Sequence, residues 1–110
     1  MKIEARHKIL SYINCQRTSL TIEEFESAVK LTGAKVLQSM EHDFKPQGKS
    51  ILTLLAESHA SFHSYPEYNF CYLDIFTCGK MEISKFDLAL RQILKPKKIR
   101  KKQFNRSFNG

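Results

Sequence analysis

The stretch Leu55–Gly79, LAESHASFHSYPEYNFCYLDIFTCG, decides which fold is predicted for this 110-residue chain. It places three reactive side chains, those of Ser58, His63 and Cys78, inside one short window. The same window is rich in aromatic and β-branched residues, which are typical of strands that pack into a core. Reactive groups on an apolar stretch indicate a site built on a sheet, not a loop of solvated polar residues.

Apolar periodicity along the whole chain predicts four strands and two helices. The first helix opens at Thr21, which forms a capping-box pattern with Glu24, and it ends at Gly33. The second helix opens at Ser84 and is stopped by Pro96. The predicted strands are residues 2–14, 34–44, 50–56 and 68–77.

These elements follow one another in the order β-α-β-β-β-α, which predicts an α+β fold. The expected architecture is a two-layer sandwich, in which a four-stranded, mainly antiparallel sheet carries both helices on one face. The strands of this small sheet have apolar residues on both faces, so the face without helices would expose apolar side chains to water. We therefore expect a homodimer that covers this open side.

The net charge of +7 is confined to the last part of the chain. Residues 1–94 contain eleven Lys and Arg against eleven Asp and Glu, whereas residues 95–110 contain seven basic residues and no acidic one. We therefore predict a domain over residues 1–94 and a disordered basic tail over residues 95–110. No folded nucleic-acid-binding motif accompanies these charges, and no nucleic-acid partner is expected.

The cysteine content favours a reducing compartment. Cys15, Cys71 and Cys78 are odd in number and form no CxxC pair, so no disulfide framework is indicated. No apolar run is long enough for a signal peptide or a membrane span. The chain is expected to be cytoplasmic, without a membrane partner.

Four short motifs, taken in their order along the chain, resemble those of the prokaryotic S-adenosylmethionine decarboxylase proenzymes. The likeness extends over residues 5–94 and includes an upstream His-x-Phe-x-Pro-x-Gly-x-Ser pattern. Several motifs at family-like spacing are a far more specific signal than any one of them alone. The motifs are HDFKPQGKS at 42–50, AESH at 56–59, SFHSYPE at 61–67 and DIFTCG at 74–79.

The resemblance implies that the chain cuts itself between Glu57 and Ser58. In this family the serine hydroxyl attacks the preceding carbonyl, and the serine becomes a pyruvoyl group at the start of the second chain. His63 matches the base of this processing step, a role that suits an imidazole because it titrates near neutral pH. Ser50 matches a serine that assists processing by hydrogen bonding.

The resemblance also implies how the mature enzyme works. The pyruvoyl ketone forms a Schiff base with S-adenosylmethionine and takes up the electrons left by CO₂ loss, giving the aminopropyl donor for spermidine synthesis. Cys78 matches the proton donor, since free thiols are mostly protonated at neutral pH. Phe44 and Glu67 match substrate contacts, and Tyr65 stands at a pocket wall where the family usually has Trp.

Two other functions remain open on the sequence. Because Tyr65 alters the pocket wall, a related pyruvoyl decarboxylase of arginine or ornithine is an alternative. A non-catalytic homologue, binding through its dimer surface or its tail, is another, although it would not need Ser58, His63 and Cys78 together. No metal is expected, because the spacing of His59, His63, Cys71 and Cys78 fits no structural zinc pattern.

Overall fold

The computed structural model describes all of residues 1–110, which form eight strands and two helices. The strands are β1 (Lys2–Ile3), β2 (Ala5–Cys15), β3 (Val36–Asp43), β4 (Lys49–Leu55), β5 (Ser58–Tyr65), β6 (Phe70–Cys78), β7 (Pro96–Asn105) and β8 (Phe108–Asn109). The helices are α1 (Ile22–Lys30) and α2 (Ser84–Leu94). Six strands form an antiparallel sheet in the order β3-β4-β5-β6-β2-β7, and β1 pairs with β8.

The α+β prediction is confirmed, with both helices packed on one face of the main sheet. Strand residues on that face alternate with exposed ones, because successive side chains of a strand point to opposite sides. The buried set joins the helices through Phe25 and Phe86, which have no exposed surface. Neither helix is long and apolar enough to cross a membrane.

The prediction of a four-stranded sheet is wrong, because the main sheet has six strands. One missed strand is β5, whose buried side carries Ala60 and Ser64 as well as Phe62. Small and polar residues hide the apolar alternation on which strand prediction depends. Pro66 does not continue this strand; it begins a short 3₁₀ turn, Pro66–Tyr68, that leads into β6.

The second missed strand is β7, so the prediction of a disordered tail is also wrong. Residues 96–105 pair antiparallel with β2 along most of its length. Ile99 packs partly buried against the core, and Pro96 takes the first strand position, where its missing N–H costs little. The basic residues suit this position because charged side chains on an edge strand discourage pairing with other chains.

The face of the main sheet opposite the helices is the open face, and it is unusually apolar. Leu52, Leu54, Met40 and Tyr72 are each about half exposed or more. Contiguous apolar side chains on a surface indicate an interaction site. This face is where the sequence predicts a second copy of the chain.

Helix α1 begins as predicted, with a reciprocal capping box between Thr21 and Glu24. Helix α2 begins at Ser84, but Ser84 is its first helical residue and not its N-cap; the N-cap is Ile83, which makes no side-chain capping bond. Asp87, in its first turn, is instead buried against β2.

A buried polar network surrounds Asp87. Its carboxylate accepts a hydrogen bond from Tyr12 and pairs with Arg91, and Lys8 Nζ lies 3.9 Å from Oδ2. Burial alone would raise the pKa of Asp87, but the hydrogen bonds from Arg91 and Tyr12 and the charges of Arg91 and Lys8 hold that pKa below its ordinary value. The carboxylate therefore stays ionised and ties α2 to the sheet.

We expect Asp87→Asn to lower the free energy of unfolding by about 3 kcal/mol at pH 7, because Lys8 would lose its buried partner. A depressed folded-state pKa gives stability that is complete above the unfolded-state pKa, about 3.9, and is lost as pH falls through the folded-state value. The difference between the two proteins should therefore shrink below about pH 4. Urea denaturation at fixed protein concentration measures it.

The matched control is Asp43→Asn, because Asp43 is exposed and lies 3.8 Å from Lys49. This change should alter the free energy of unfolding by less than about 0.5 kcal/mol. Equal stability of the two variants at pH 7 would show that the Asp87 network does not stabilise the fold.

Candidate active site

The first group of site residues is the Ser58 cluster, made of Glu57, Ser58 and Cys78. Ala56 and Glu57 form the two-residue turn between β4 and β5, and Ser58 begins β5. Ser58 has a φ of 144°, a value that side-chain-bearing residues rarely adopt because of steric clashes. Strain is therefore stored at the residue whose peptide bond is predicted to break.

The end of β6 holds the other half of this cluster. The backbone N–H of Cys78 donates to the Glu57 carbonyl oxygen over 2.8 Å. Its Sγ lies 3.7 Å from Ser58 Oγ. A fixed donor on a carbonyl oxygen is the arrangement that stabilises negative charge when that carbonyl is attacked.

Lys35, just before β3, holds the turn in place from the other side. Its backbone N–H donates to Glu57 Oε1 over 3.0 Å, and its carbonyl accepts from Ala56 N–H over 2.9 Å. The turn that carries the strained serine is therefore fixed through both its backbone and the Glu57 side chain.

The second group is the His63 cluster, made of Phe44, Ser50, His63, Tyr65 and Glu67. Ser50 and His63 face each other across the β4–β5 ladder, with Oγ and Nδ1 2.7 Å apart. All five side chains line one cavity of about 440 Å³, together with Gln47, Gly48 and Ser64. The structure thus brings five of the eight predicted site residues together.

The two clusters are separate within one protomer. His63 lies five residues beyond Ser58 along β5, a distance of about 16 Å in a strand. His63 is on the open face, where it lines a groove of about 580 Å³ together with Asp74. A single copy of the chain therefore does not place the imidazole next to Ser58.

Comparison with known proteins identifies the family. Residues 6–107 match the family model described as S-adenosylmethionine decarboxylase. The chain belongs to the S-adenosylmethionine decarboxylase family. The match extends beyond residue 94 and includes β7, so the basic strand is part of the family domain.

Individual members of the S-adenosylmethionine decarboxylase family agree with this assignment. The S-adenosylmethionine decarboxylase proenzyme of Prochlorococcus marinus is 38% identical over 107 residues, covering 92% of this chain and 86% of its own length. The proenzyme of Methanococcus vannielii is 36% identical over 105 residues, covering 90% and 86%. The crystal structure of the adenosylmethionine decarboxylase from Aquifex aeolicus superimposes with a TM-score of 0.83 at 28% identity, covering 100% of this chain and 96% of that one.

On the open face of this S-adenosylmethionine decarboxylase family member, His7, His59 and Asp74 form a polar trio that the sequence reasoning did not bring together. Nε2 of His7 and Nε2 of His59 lie 2.7 Å and 3.6 Å from Asp74 Oδ2, and Ser61 donates to Oδ1. Arg106 approaches His7 Nδ1 at 3.5 Å. Because arginine only donates, we assign the His7 proton to Nε2, where it leaves no free lone pair for a metal.

The signal that could have found this trio is strand register. His7, Asp74 and His59 occupy open-face positions on the adjacent strands β2, β6 and β5. Without β5 in the predicted sheet, nothing placed His59 beside Asp74. Of the four residues weighed as zinc ligands, only His59 belongs to a group within ligating distance, and its partners there are His7 and Asp74.

Proposed function

We propose that this chain is a pyruvoyl-dependent S-adenosylmethionine decarboxylase, made as a proenzyme that cuts itself between Glu57 and Ser58. The observation that carries the proposal is the Ser58 cluster: a strained serine, a carbonyl held by the Cys78 N–H, and a thiol beside the serine hydroxyl. Relatives of this chain are named S-adenosylmethionine decarboxylase proenzymes, and the cluster supplies the nucleophile, the carbonyl that it attacks and a donor to that carbonyl.

In the first step Ser58 Oγ attacks the Glu57 carbonyl carbon and gives up its proton. Negative charge develops on the carbonyl oxygen, where the Cys78 N–H already donates. The C–N bond of the peptide then breaks, the nitrogen takes a proton, and Glu57 becomes an ester on the serine oxygen. The strained φ at Ser58 favours this step. φ is the rotation about the N–Cα bond, and the break of the Glu57–Ser58 amide frees the nitrogen, so the strain is released.

In the second step the Ser58 α-proton is removed and its electrons form the Cα–Cβ double bond. The Cβ–Oγ bond breaks, and the oxygen leaves as part of the Glu57 carboxylate. The resulting dehydroalanine tautomerises to an imine, which water hydrolyses with loss of ammonia to the pyruvoyl group. His63 is the base for the α-proton, oriented by its hydrogen bond with Ser50.

This role for His63 requires a homodimer, because the two clusters of one protomer lie about 16 Å apart. The apolar open face is the surface that would be covered. In this dimer the two open faces stack about a twofold axis that lies between the two sheets. The axis is perpendicular to β5 and level with the point midway between Ser58 and His63, so β5 of the partner runs in the opposite direction. Each Ser58 cluster would then meet the His63 cluster of the other copy, giving two complete sites.

The His63 cluster also contains side chains suited to binding S-adenosylmethionine. The rings of Phe44 and Tyr65, both partly exposed, can face a sulfonium cation, whose charge is attracted to aromatic faces. Glu67, at the same cavity, supplies acceptors for ribose hydroxyl groups. Aromatic faces and a carboxylate together favour a cationic nucleoside over arginine or ornithine.

The residues around Ser58 also fit a pyruvoyl group at position 58. Such a group provides a ketone for the substrate amine and an electron sink for the pair left by CO₂ loss. Cys78, whose Sγ is beside the Ser58 side chain, returns the proton to the substrate carbon.

Two measurements on the purified full chain test the proposal. A denaturing mass spectrum should show residues 1–57 and residues 58–110 as separate chains, the second with a pyruvoyl start. Labelled CO₂ should be released from carboxyl-labelled S-adenosylmethionine and not from arginine or ornithine. An intact chain after prolonged incubation, or release only from the amino acids, would contradict it.

A further inference from the structure

The aromatic ring of Phe44, one wall of the cavity at the His63 cluster, is not held in place by burial. Phe44 begins the turn between β3 and β4, and its backbone N–H donates to the Gly48 carbonyl over 2.8 Å. That bond fixes the main chain, but the side chain is half exposed. Because ordering a loose side chain on binding costs free energy, a substrate wall needs a ring that is already held.

The side chain that contacts this ring from outside the cavity is the imidazole of His42. The two ring centroids lie 4.6 Å apart and the ring planes are 69° apart, which is an edge-to-face arrangement. The quadrupoles of aromatic rings favour this geometry. Phe44 lines the cavity of about 440 Å³, whereas His42 does not. The imidazole therefore supports the ring and leaves the cavity free for a ligand.

Strand register brings His42 to this position. His42 on β3 is the partner of Ser50 across the β3–β4 ladder, and Ser50 is the partner of His63 across the β4–β5 ladder. Direct partners point to the same side of a sheet, so all three side chains lie on the open face. The hydrogen-bond partner of Ser50 Oγ is His63, not His42. The contact that His42 makes within this site is therefore the one with Phe44.

We propose that His42 is a positioning residue for substrate binding, whose imidazole holds the Phe44 ring in the orientation that receives the substrate cation. The inference rests on the proposed function and adds a residue behind its substrate cavity. His42 touches neither the substrate nor the atoms that react at Ser58. Its effect is confined to binding, because the ring that it orients contacts the substrate and not the scissile bond.

The test is His42→Ala in the full chain, with CO₂ release from carboxyl-labelled S-adenosylmethionine as the readout. We expect KM to rise roughly 2- to 10-fold, the change that corresponds to one lost aromatic pair. kcat should stay at the parent value, because a group that acts on binding alone changes KM and not kcat. Residues 58–110 should appear at the normal rate, since the Ser50–His63 hydrogen bond remains. His42→Phe, which keeps an aromatic ring, should restore KM.

A double variant shows whether the effect of His42 passes through Phe44. Phe44→Leu alone should raise KM, because the aromatic face is lost. His42→Ala added to Phe44→Leu should raise KM no further, since residues that act as a pair are not additive. Asp43→Asn is the matched control: Asp43 is exposed between the two rings in sequence, and its carboxylate lies 3.8 Å from Lys49 Nζ. This control should leave KM unchanged.

An unchanged KM in His42→Ala, beside a parent that releases CO₂, would overturn the inference and leave the proposed function intact. Additive KM effects in the double variant would also overturn it, as would a His42→Phe protein with the KM of His42→Ala. Slow self-cleavage of His42→Ala would assign the imidazole to the Ser50–His63 pair instead. A parent that releases no CO₂ from S-adenosylmethionine would contradict the proposed function itself.

Discussion

Ser58→Ala is expected to abolish both self-cleavage and decarboxylation. Without Oγ nothing attacks the Glu57 carbonyl, and without cleavage no ketone forms at position 58. The variant should run as one intact chain on a denaturing gel, and CO₂ release from S-adenosylmethionine should fall to the uncatalysed background. The fold should persist, because Ser58 Oγ has only the Cys78 thiol as a hydrogen-bond partner, at 3.7 Å.

Cys78→Ala is the informative control for this result. It keeps the backbone N–H that holds the Glu57 carbonyl and removes only the thiol. This variant should still be cut, yet should lose normal turnover because the substrate carbon lacks its proton donor. A Ser58→Ala protein that is cut at residue 57 would rule out the serine as nucleophile, and an uncut Cys78→Ala protein would place the thiol in processing.

His63→Ala is expected to stop processing at the ester, slowing the appearance of cut chain by roughly 100-fold or more, as loss of a general base typically does. The first step needs no α-proton removal, so ester should accumulate. Hydroxylamine treatment followed by mass spectrometry measures it. An unaltered cleavage rate would exclude His63 as the base.

A mixed dimer tests which copy supplies the imidazole. In a dimer of Ser58→Ala with His63→Ala, one of the two sites combines an intact Ser58 with an intact His63 from opposite chains. The His63→Ala chain, which retains its serine, should then be cut, although it is uncut alone. Co-expression of the two chains under different tags makes the fragments distinguishable.

The double variant Ser58→Ala/His63→Ala, paired with His63→Ala, is the control for this experiment, because no site in that dimer contains both groups. Cleavage there would show that His63 is dispensable. Absence of cleavage in the first mixture, with dimers present, would show that the site is not assembled across two copies.

Local signals in the sequence predicted the helices well, because capping and apolar spacing act over a few residues. The Thr21–Glu24 box is one case. Strands that depend on distant partners were harder to predict. β5 has a mixed pattern of small, polar and aromatic residues, and β7 is a strand because β2 offers it a free edge. A basic segment such as residues 95–110 carries no local sign of that partner.

For the candidate site, too, the sequence predicted which residues matter locally but not which of them lie together in the fold. The resemblance named Ser58, His63 and Cys78 together, and their closeness in sequence suggested one group of side chains. The structure separates His63 from the other two because five residues of strand intervene and the imidazole lies on the open face. The trio of His7, His59 and Asp74 depends on the register of three strands, which no short motif encodes.

The position of β2 decides the fate of the two peptides that a cut at Glu57–Ser58 would produce. β2 belongs to the first peptide, yet it is threaded between β6 and β7 of the second. The peptides would also stay joined through the β4–β5 ladder. They would thus form an interlocked noncovalent complex, which separates only when the whole sheet unravels.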